Sequence, residues 1–455
     1  MTKHIDYAEF WSGLLPKGAL VLFMVLCTIS VSLSANAQGL RIVTFDAPGA
    51  DMNPGDFNGT YPSGINVWGV ITGAYQDTNS VFHGFLRSHE GKITSFEVPG
   101  ADMSPYNGTA PSSINDLGAI AGSYYDANGF SHGFLRSPNG KFTSFDVPGV
   151  GGSGSTPLAI NIEGAIVGYY TDSNFSFRSF VRSPDGKFTT WTGPDACTGN
   201  SSEGCFGSGA SNINAFGIIA GGFEDSSGNF VHHSFVRNAN GQLKVFDVPG
   251  AGTGAYQGTG CPGCALGLNQ FGAIAGIYSD SNSVNHGYFR NPDGKIMTFD
   301  APGAGTDTYE GTGCFSDCPL SLNNWGAVTG SYIDGNFVQH GYLRSSGGKI
   351  VTVDPAVSIY TFVDGINGFG AITGYYVDPS DVYHGFIALP CDHWCADNQE
   401  STTAGTSIPP LVSSKKPVTA TQHNPRAHDS FAPITGPYGR HLIHSRHNVK
   451  SQTAK

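Results

Sequence analysis

Charged side chains are scarce in this chain. They make up 13% of its 455 residues, and the acidic ones outnumber the basic ones by enough to leave a formal net charge of −12. The shortage of cations excludes nucleic acid as a partner, because a phosphate backbone demands a basic surface. The shortage of charge, set against 30 Phe and 19 Tyr, excludes a chain that is disordered throughout, which would show the opposite balance. No segment carries sustained helical periodicity, and no phosphate loop, zinc motif or Ser-His-Asp order is present. Neither a cofactor nor a metal is therefore expected. What is plentiful is Gly, at 64 residues, which supplies the positive φ of tight turns. The balance predicts an all-β protein.

One long apolar run stands out, "ALVLFMVLCTISVSL" from Ala19 to Leu33, preceded by Lys3 and Lys17 and followed by Ala35-Asn36-Ala37. This is the pattern of a secretory signal peptide over residues 1–37. The rival, an uncleaved anchor, needs about 20 residues to span a bilayer. Cys27 in the run lacks the preceding small residues of a lipidation site. The mature protein is expected to be secreted or otherwise extracytoplasmic, periplasmic or at the cell surface, a monomer with no transmembrane segment left. Eight cysteines remain, as four close pairs: Cys197 with Cys205, Cys261 with Cys264, Cys314 with Cys318, and Cys391 with Cys395. An even count in an exported chain reads as disulfides. A redox role for the CxxC, or a zinc site from two pairs, fits less well, since no helix pattern follows to lower a thiol pKa.

A repeated sentence fills most of the chain. The core [Ile/Leu]-Asn-x-x-Gly-apolar-apolar-x-Gly begins at Ile65, Ile114, Ile160, Ile213, Leu268, Leu322 and Ile366, with steps of 44 to 55 residues. Periods of this size mark solenoids or propellers. Turn chemistry divides each copy into four strands, A to D. Asn-x-x-Gly joins A to B, a polar loop joins B to C, and Asn-Gly or Asp-Gly turns such as Asn139-Gly140 join C to D. Pro-Gly ends D. Seven such units predict a seven-bladed β-propeller over residues 38–390; a parallel β-helix, the competitor, has shorter coils. The last copy lacks a D strand, and the mature chain begins with a spare one, Arg41–Gly49. That strand is expected to pair with Tyr383–Pro390 and seal the ring. Residues 391–455 begin with a cysteine-stapled end. A basic, Ser/Thr/Pro-rich tail with five His follows and reads as disordered; weak metal binding by its His is the less favoured reading.

The quoted core, with its "HGFL" ending, resembles the extracellular HAF-type repeat proteins of bacteria over roughly Arg41 to Pro390. Gly stands after the His where that family usually has Ala. The resemblance implies export and a repetitive β fold, and it implies no activity and no catalytic residues.

Two repeated polar positions invite a chemical reading. His83, His132, His233, His286, His340 and His384 share one place, with Arg178 in copy three, and Asp77, Asp126, Asp280, Asp334 and Asp378 lie six residues earlier. Acids also end the D strands, at Asp46, Glu97, Asp146, Asp247, Asp300 and Asp354. A metal needs its ligands about 2 Å from one point, and equivalent places in different blades are far apart. An Asp–His bond bracing each blade is the expectation. For function, a non-catalytic module binding a glycan, protein or small ligand is favoured over a polysaccharide lyase or glycoside hydrolase, which needs two convergent carboxylates. The short, uniform A–B and C–D turns share one face and are expected to grip little. The long B–C and D–A loops share the other. A site is expected there near the axis, at Trp191, Asp195, Glu203, Tyr256 and Tyr309, the competing reading being that these loops merely drift.

Overall fold

The four-strand unit is formed by alternation of β-branched or aromatic residues with small ones, cut by turns that only Asn, Asp and Gly satisfy. The computed structural model describes residues 39–54, 58–198, 205–264, 266–313 and 320–390. The expected signal peptide and tail lie outside them. In the first copy the strands are Gly59–Ile65, Ile71–Gln76, Phe82–Arg87 and Ile93–Phe96. They pair antiparallel in sequence order. The same order recurs along the chain, so the protein is all-β and built of repeated four-stranded sheets. Three sheets have four strands, one has eight and one has nine. The larger two each join two sets through one parallel pair, Gly59 with Tyr383 and His232 with Gly258.

Strand A carries a β-bulge, the ladder skipping Ser63, Ser112, Leu158, Ser211 and Asp364 in five copies. In copy five it is split into Gly258–Thr259 and Gly267–Leu268. The N-terminal strand Leu40–Phe45 pairs antiparallel with Tyr383–Pro390, Leu40 opposite Pro390 and Phe45 opposite Gly385. The expected pairing of the two chain ends is present.

The sheets have no core of their own; they bury their faces against the next copy. Phe145 and Val147 from the second copy pack with Ile160, Ile166 and Phe180 of the third. Phe134, Phe180, Phe235 and Phe386 are fully buried, each contributing about 1.5–3 kcal/mol. The D-strand end is fixed to the following A strand by a buried hydroxyl: Val98 N donates to Thr109 Oγ1 (3.1 Å), Val248 N to Thr259 Oγ1 (2.8 Å) and Ala301 N to Thr312 Oγ1 (2.8 Å). The Gly after the His is covered by the D-strand Phe ring in four copies, Phe96 over Gly84, Phe145 over Gly133, Phe299 over Gly287 and Phe45 over Gly385, where a Cβ would collide.

Candidate functional site

On the loop-rich side each repeat His lies between two carboxylates. His132 Nδ1 is 2.8 Å from Asp146 and its Nε2 is 3.6 Å from Asp126. The same pattern joins His286 to Asp300 and Asp280, and His340 to Asp354 and Asp334. His384 reaches Asp378 within its copy and Asp46 on the N-terminal strand. The two acid positions noted in the sequence thus serve one imidazole. Each ring also stacks on the B-strand aromatic opposite it, such as Tyr124 or Tyr278, with centroids 5.2 and 5.0 Å away. The Glu97 hydrogen bond raises the His83 pKa, and the Asp247 bond raises that of His233, because both favour the imidazolium. The Asp126 carboxylate is held at about 2, chiefly by accepting the Phe130 N–H and by Asn128. Copy three has Thr192 in place of the D-strand acid. There Arg178 brings a permanent charge to its one partner, Asp172, at 2.6 Å. These clusters brace every copy alike, and none is singled out for chemistry.

Four of the five residues expected to form a binding site are described. Trp191 is packed between sheets, edge-on to Phe235, with the Arg237 guanidinium 4.5 Å above its ring. It is a packing residue because the D strand turns this face toward the next copy, which corrects its assignment to an exposed stacking surface. Asp195 is exposed at φ 57°, and its carbonyl accepts Ser226 N–H. Tyr256 and Tyr309 occupy one repeat place, also held by Tyr106, each at positive φ and donating its N–H to the preceding B–C loop. Tyr256 stacks on Phe230 at 5.8 Å. Glu203 lies outside the described residues.

The disulfides Cys197–Cys205 and Cys261–Cys264 are present; the other two expected pairs lie outside the described residues. The Cys261–Cys264 staple separates the two halves of an A strand and packs on the preceding copy, where the Ser211 hydroxyl donates to Cys264 O. An insertion inside a strand reads the same in sequence as a long D–A loop.

The opposite face carries what the sequence reading missed. In each A–B turn the Asn Oδ1 accepts backbone N–H groups, as Asn115 does from Leu117 (3.1 Å) and Ala119 (2.9 Å). Its Nδ2 donates to the backbone carbonyl of the next copy's Asn: Asn66 to Asn115, Asn115 to Asn161, Asn161 to Asn214 and Asn214 to Asn269. Asn269 then donates to Asn323, Asn323 to Asn367, and Asn367 to Asn66 at 3.1 Å. The seven turns are therefore neighbours, and each displays the residue just before its Gly. These are Trp68, Leu117, Glu163, Phe216, Phe271, Trp325 and Phe369. The six apolar ones are 64–75% exposed. Trp68 Nε1 donates to Asp116 O and Trp325 Nε1 to Gly368 O, both 2.9 Å, so each indole leans over the next turn. A solvated turn gains nothing from six exposed apolar side chains. The signal was visible as an apolar residue in the last x of Asn-x-x-Gly. The short-turn face, expected to offer little to grip, carries these six exposed apolar side chains.

No family model matches the sequence, and no curated protein matches it. Among solved structures, the BP39L lectin from Burkholderia pseudomallei is 10% identical with a TM-score of 0.45, over 78% of this chain and 99% of that one. A puromycin hydrolase is 13% identical with a TM-score of 0.47, over 76% of this chain and 55% of that one. TolB from Acinetobacter baumannii is 14% identical with a TM-score of 0.40; the match covers 66% of this chain and 65% of that TolB, less than two thirds of its length. At these levels the likenesses carry no argument about ligand or reaction.

Proposed function

We propose that this protein is an exported, seven-bladed β-propeller that binds a glycan on the face of its A–B turns. Seven blades are supported by seven motif copies and by seven Asn side chains linked head to tail, Asn367 returning to Asn66. A ring closed by the N-terminal strand is supported by the Leu40–Phe45 pairing with Tyr383–Pro390. Export, and kinship with the HAF-type repeat proteins, are supported by the N-terminal apolar run, the paired cysteines and the repeat core.

The observation that carries the binding reading is the set of six exposed apolar side chains at one turn position. Five are aromatic, and flat rings displayed at regular intervals suit a ligand that itself repeats, as a polysaccharide does. Sugar rings present C–H faces that stack on Trp and Phe, and each contact is individually weak, so several equal subsites raise affinity together. Binding to a polysaccharide panel should fall by tenfold or more in a Phe271→Ala, Trp325→Ala double variant, with thermal stability unchanged. Equal affinity in parent and variant would move the site off this face.

A further inference from the structure

A cleft of about 370 Å³ opens on this same face where the first and last copies meet. The C and D strands beneath it, Tyr383–Pro390 and Leu40–Phe45, come from opposite ends of the described chain, so no two-residue turn joins them as in the other sheets. The repeat pattern also changes here. The six C strands before it all end in Arg, buried at Arg87, Arg182 and Arg290, whereas this one has Ala388 at that place. Two exposed aromatics, Trp68 (67%) and Phe369 (69%), line the opening, and Val43, Ile387 and Leu389 give it an apolar floor.

The polar lining is one-sided. Arg41, Arg87 and His89 line the cleft, and no carboxylate is among its described lining residues. Arg87 is only 8% exposed, lies 4.7 Å over the Phe45 ring, and has an Nε without a hydrogen-bond partner. Asn367 has no capacity to spare: its Oδ1 accepts Phe369 and Ala371 N–H, and its Nδ2 donates to Asn66 and Val67 carbonyls. A neutral sugar needs acceptors for its hydroxyls as well as donors. This lining offers cationic donors and flat apolar surface.

We propose that the cleft binds one acidic sugar unit, a uronate, with its ring against Trp68 and Phe369 and its carboxylate on Arg41 and Arg87. The assignment rests on the glycan reading above and names the class that fits this subsite. An Arg–carboxylate pair is charge-assisted and can be bidentate, which gives selectivity for the anion over its ester. The volume suits a single unit or roughly a disaccharide, small for a ligand pocket.

The test is titration of the full mature chain with tri-galacturonate at low salt, followed by tryptophan fluorescence and calorimetry. Its methyl ester, a neutral trisaccharide, benzoate and inorganic sulfate serve as separate arms. Tri-galacturonate should bind at least tenfold tighter than the ester or the neutral sugar, and benzoate and sulfate should not displace it. Arg41→Ala, at an exposed position, should lose about tenfold, with Arg41→Lys recovering part of the loss and the melting temperature unchanged. Trp68→Ala should lose a similar factor, while Met297→Ala, on a D strand outside both the cleft and the turn face, should bind the trimer as the parent does. Unchanged affinity in Arg41→Ala, equal binding of acid and ester, or displacement by benzoate or sulfate would overturn the uronate assignment. If neutral polysaccharides bind and lose affinity only through Phe271 and Trp325, the face reading stands and this one falls. If the parent binds no arm at all, both fall.

Discussion

At the residue scale, His83 lies between the Glu97 and Asp77 carboxylates, and its contribution depends on its charge. The His83 pKa is raised above the ordinary 6.5 by its bond to Glu97 and then by Asp77. A raised folded-state value stabilises fully below about pH 6.5, and the contribution is lost as pH rises through the folded value. His83→Gln should therefore destabilise the protein at pH 6 by about 1 kcal/mol or less, after allowance for solvent screening. The gap should narrow by pH 9 in urea unfolding; a gap independent of pH would make the contact mere packing. Asp364 is the opposite case. It stands at the A-strand bulge where Ser63 instead donates its hydroxyl to Pro111 O. Burial pushes the Asp364 carboxyl well above the usual range, and Oδ2 has no hydrogen-bond partner. An acid with a raised folded value is best tolerated below pH 4, and its cost grows as pH rises toward the folded value. Asp364→Ser should be more stable than the parent at pH 7, and the advantage should vanish near pH 3.5; no gain at pH 7 would refute the burial cost. The His ring and the Asp six residues before it were legible in the sequence. That both acids meet one His was only half legible. The spacing of fourteen from His132 to Asp146 is constant within copies, but Asp225 is displaced by a two-residue insertion before His233, and Asp46 lies at the far end of the chain from His384.

At the element scale, the A–B turn performs two tasks with one side chain. Spacing alone identifies Asn-x-x-Gly as a tight turn, since Asn opens it and Gly118, at φ 83°, closes it in a conformation that costs other residues strain. The second task, tying the turn to its neighbour through Nδ2, depends on where the next copy lies and is invisible in one copy's sequence. Asn115 makes one such bond and accepts two N–H groups within its own turn, while only 6% exposed. Removing them leaves buried partners unsatisfied, so Asn115→Ala should cost about 2–4 kcal/mol. Asn79 makes a comparable turn bond at the surface, where water replaces it, and Asn79→Ala should cost under about 1 kcal/mol. Equal losses in the two variants would show that the link between copies adds nothing. The same logic explains why the place of the staple is invisible in the sequence. Cys261–Cys264 interrupts an A strand, and the hydrophobic pattern on either side, "GT" and "GL", is too short to reveal a strand.

At the scale of the whole molecule, faces that bury only against neighbours make every missing neighbour costly. The repeat period, the hairpin turns and the spare strand at the N-terminus were enough to suggest a ring. The exposed apolar turn face was not legible, because exposure of Trp68 or Phe369 depends on which turns assemble side by side. Within the proposed ring the last link should be equivalent to the others. Asn367 Nδ2 to Asn66 O is 3.1 Å, against 3.0 Å for Asn161 to Asn214 O. The strand Leu40–Phe45 covers the edge of Tyr383–Pro390 and packs Leu40 and Ile42 against Phe386 and Ala388, both fully buried. Deleting residues 38–50 removes six ladder pairs, exposes that edge and takes Asp46 from His384. An uncovered edge also invites pairing with a second molecule. The truncated protein should therefore melt at least 10 °C below the parent, on the order expected for a loss of several kcal/mol in a chain of this size, and should associate in a concentration-dependent way by light scattering. A truncated protein that stays monomeric and melts with the parent would mean that the two ends of the chain pair without holding the ring together.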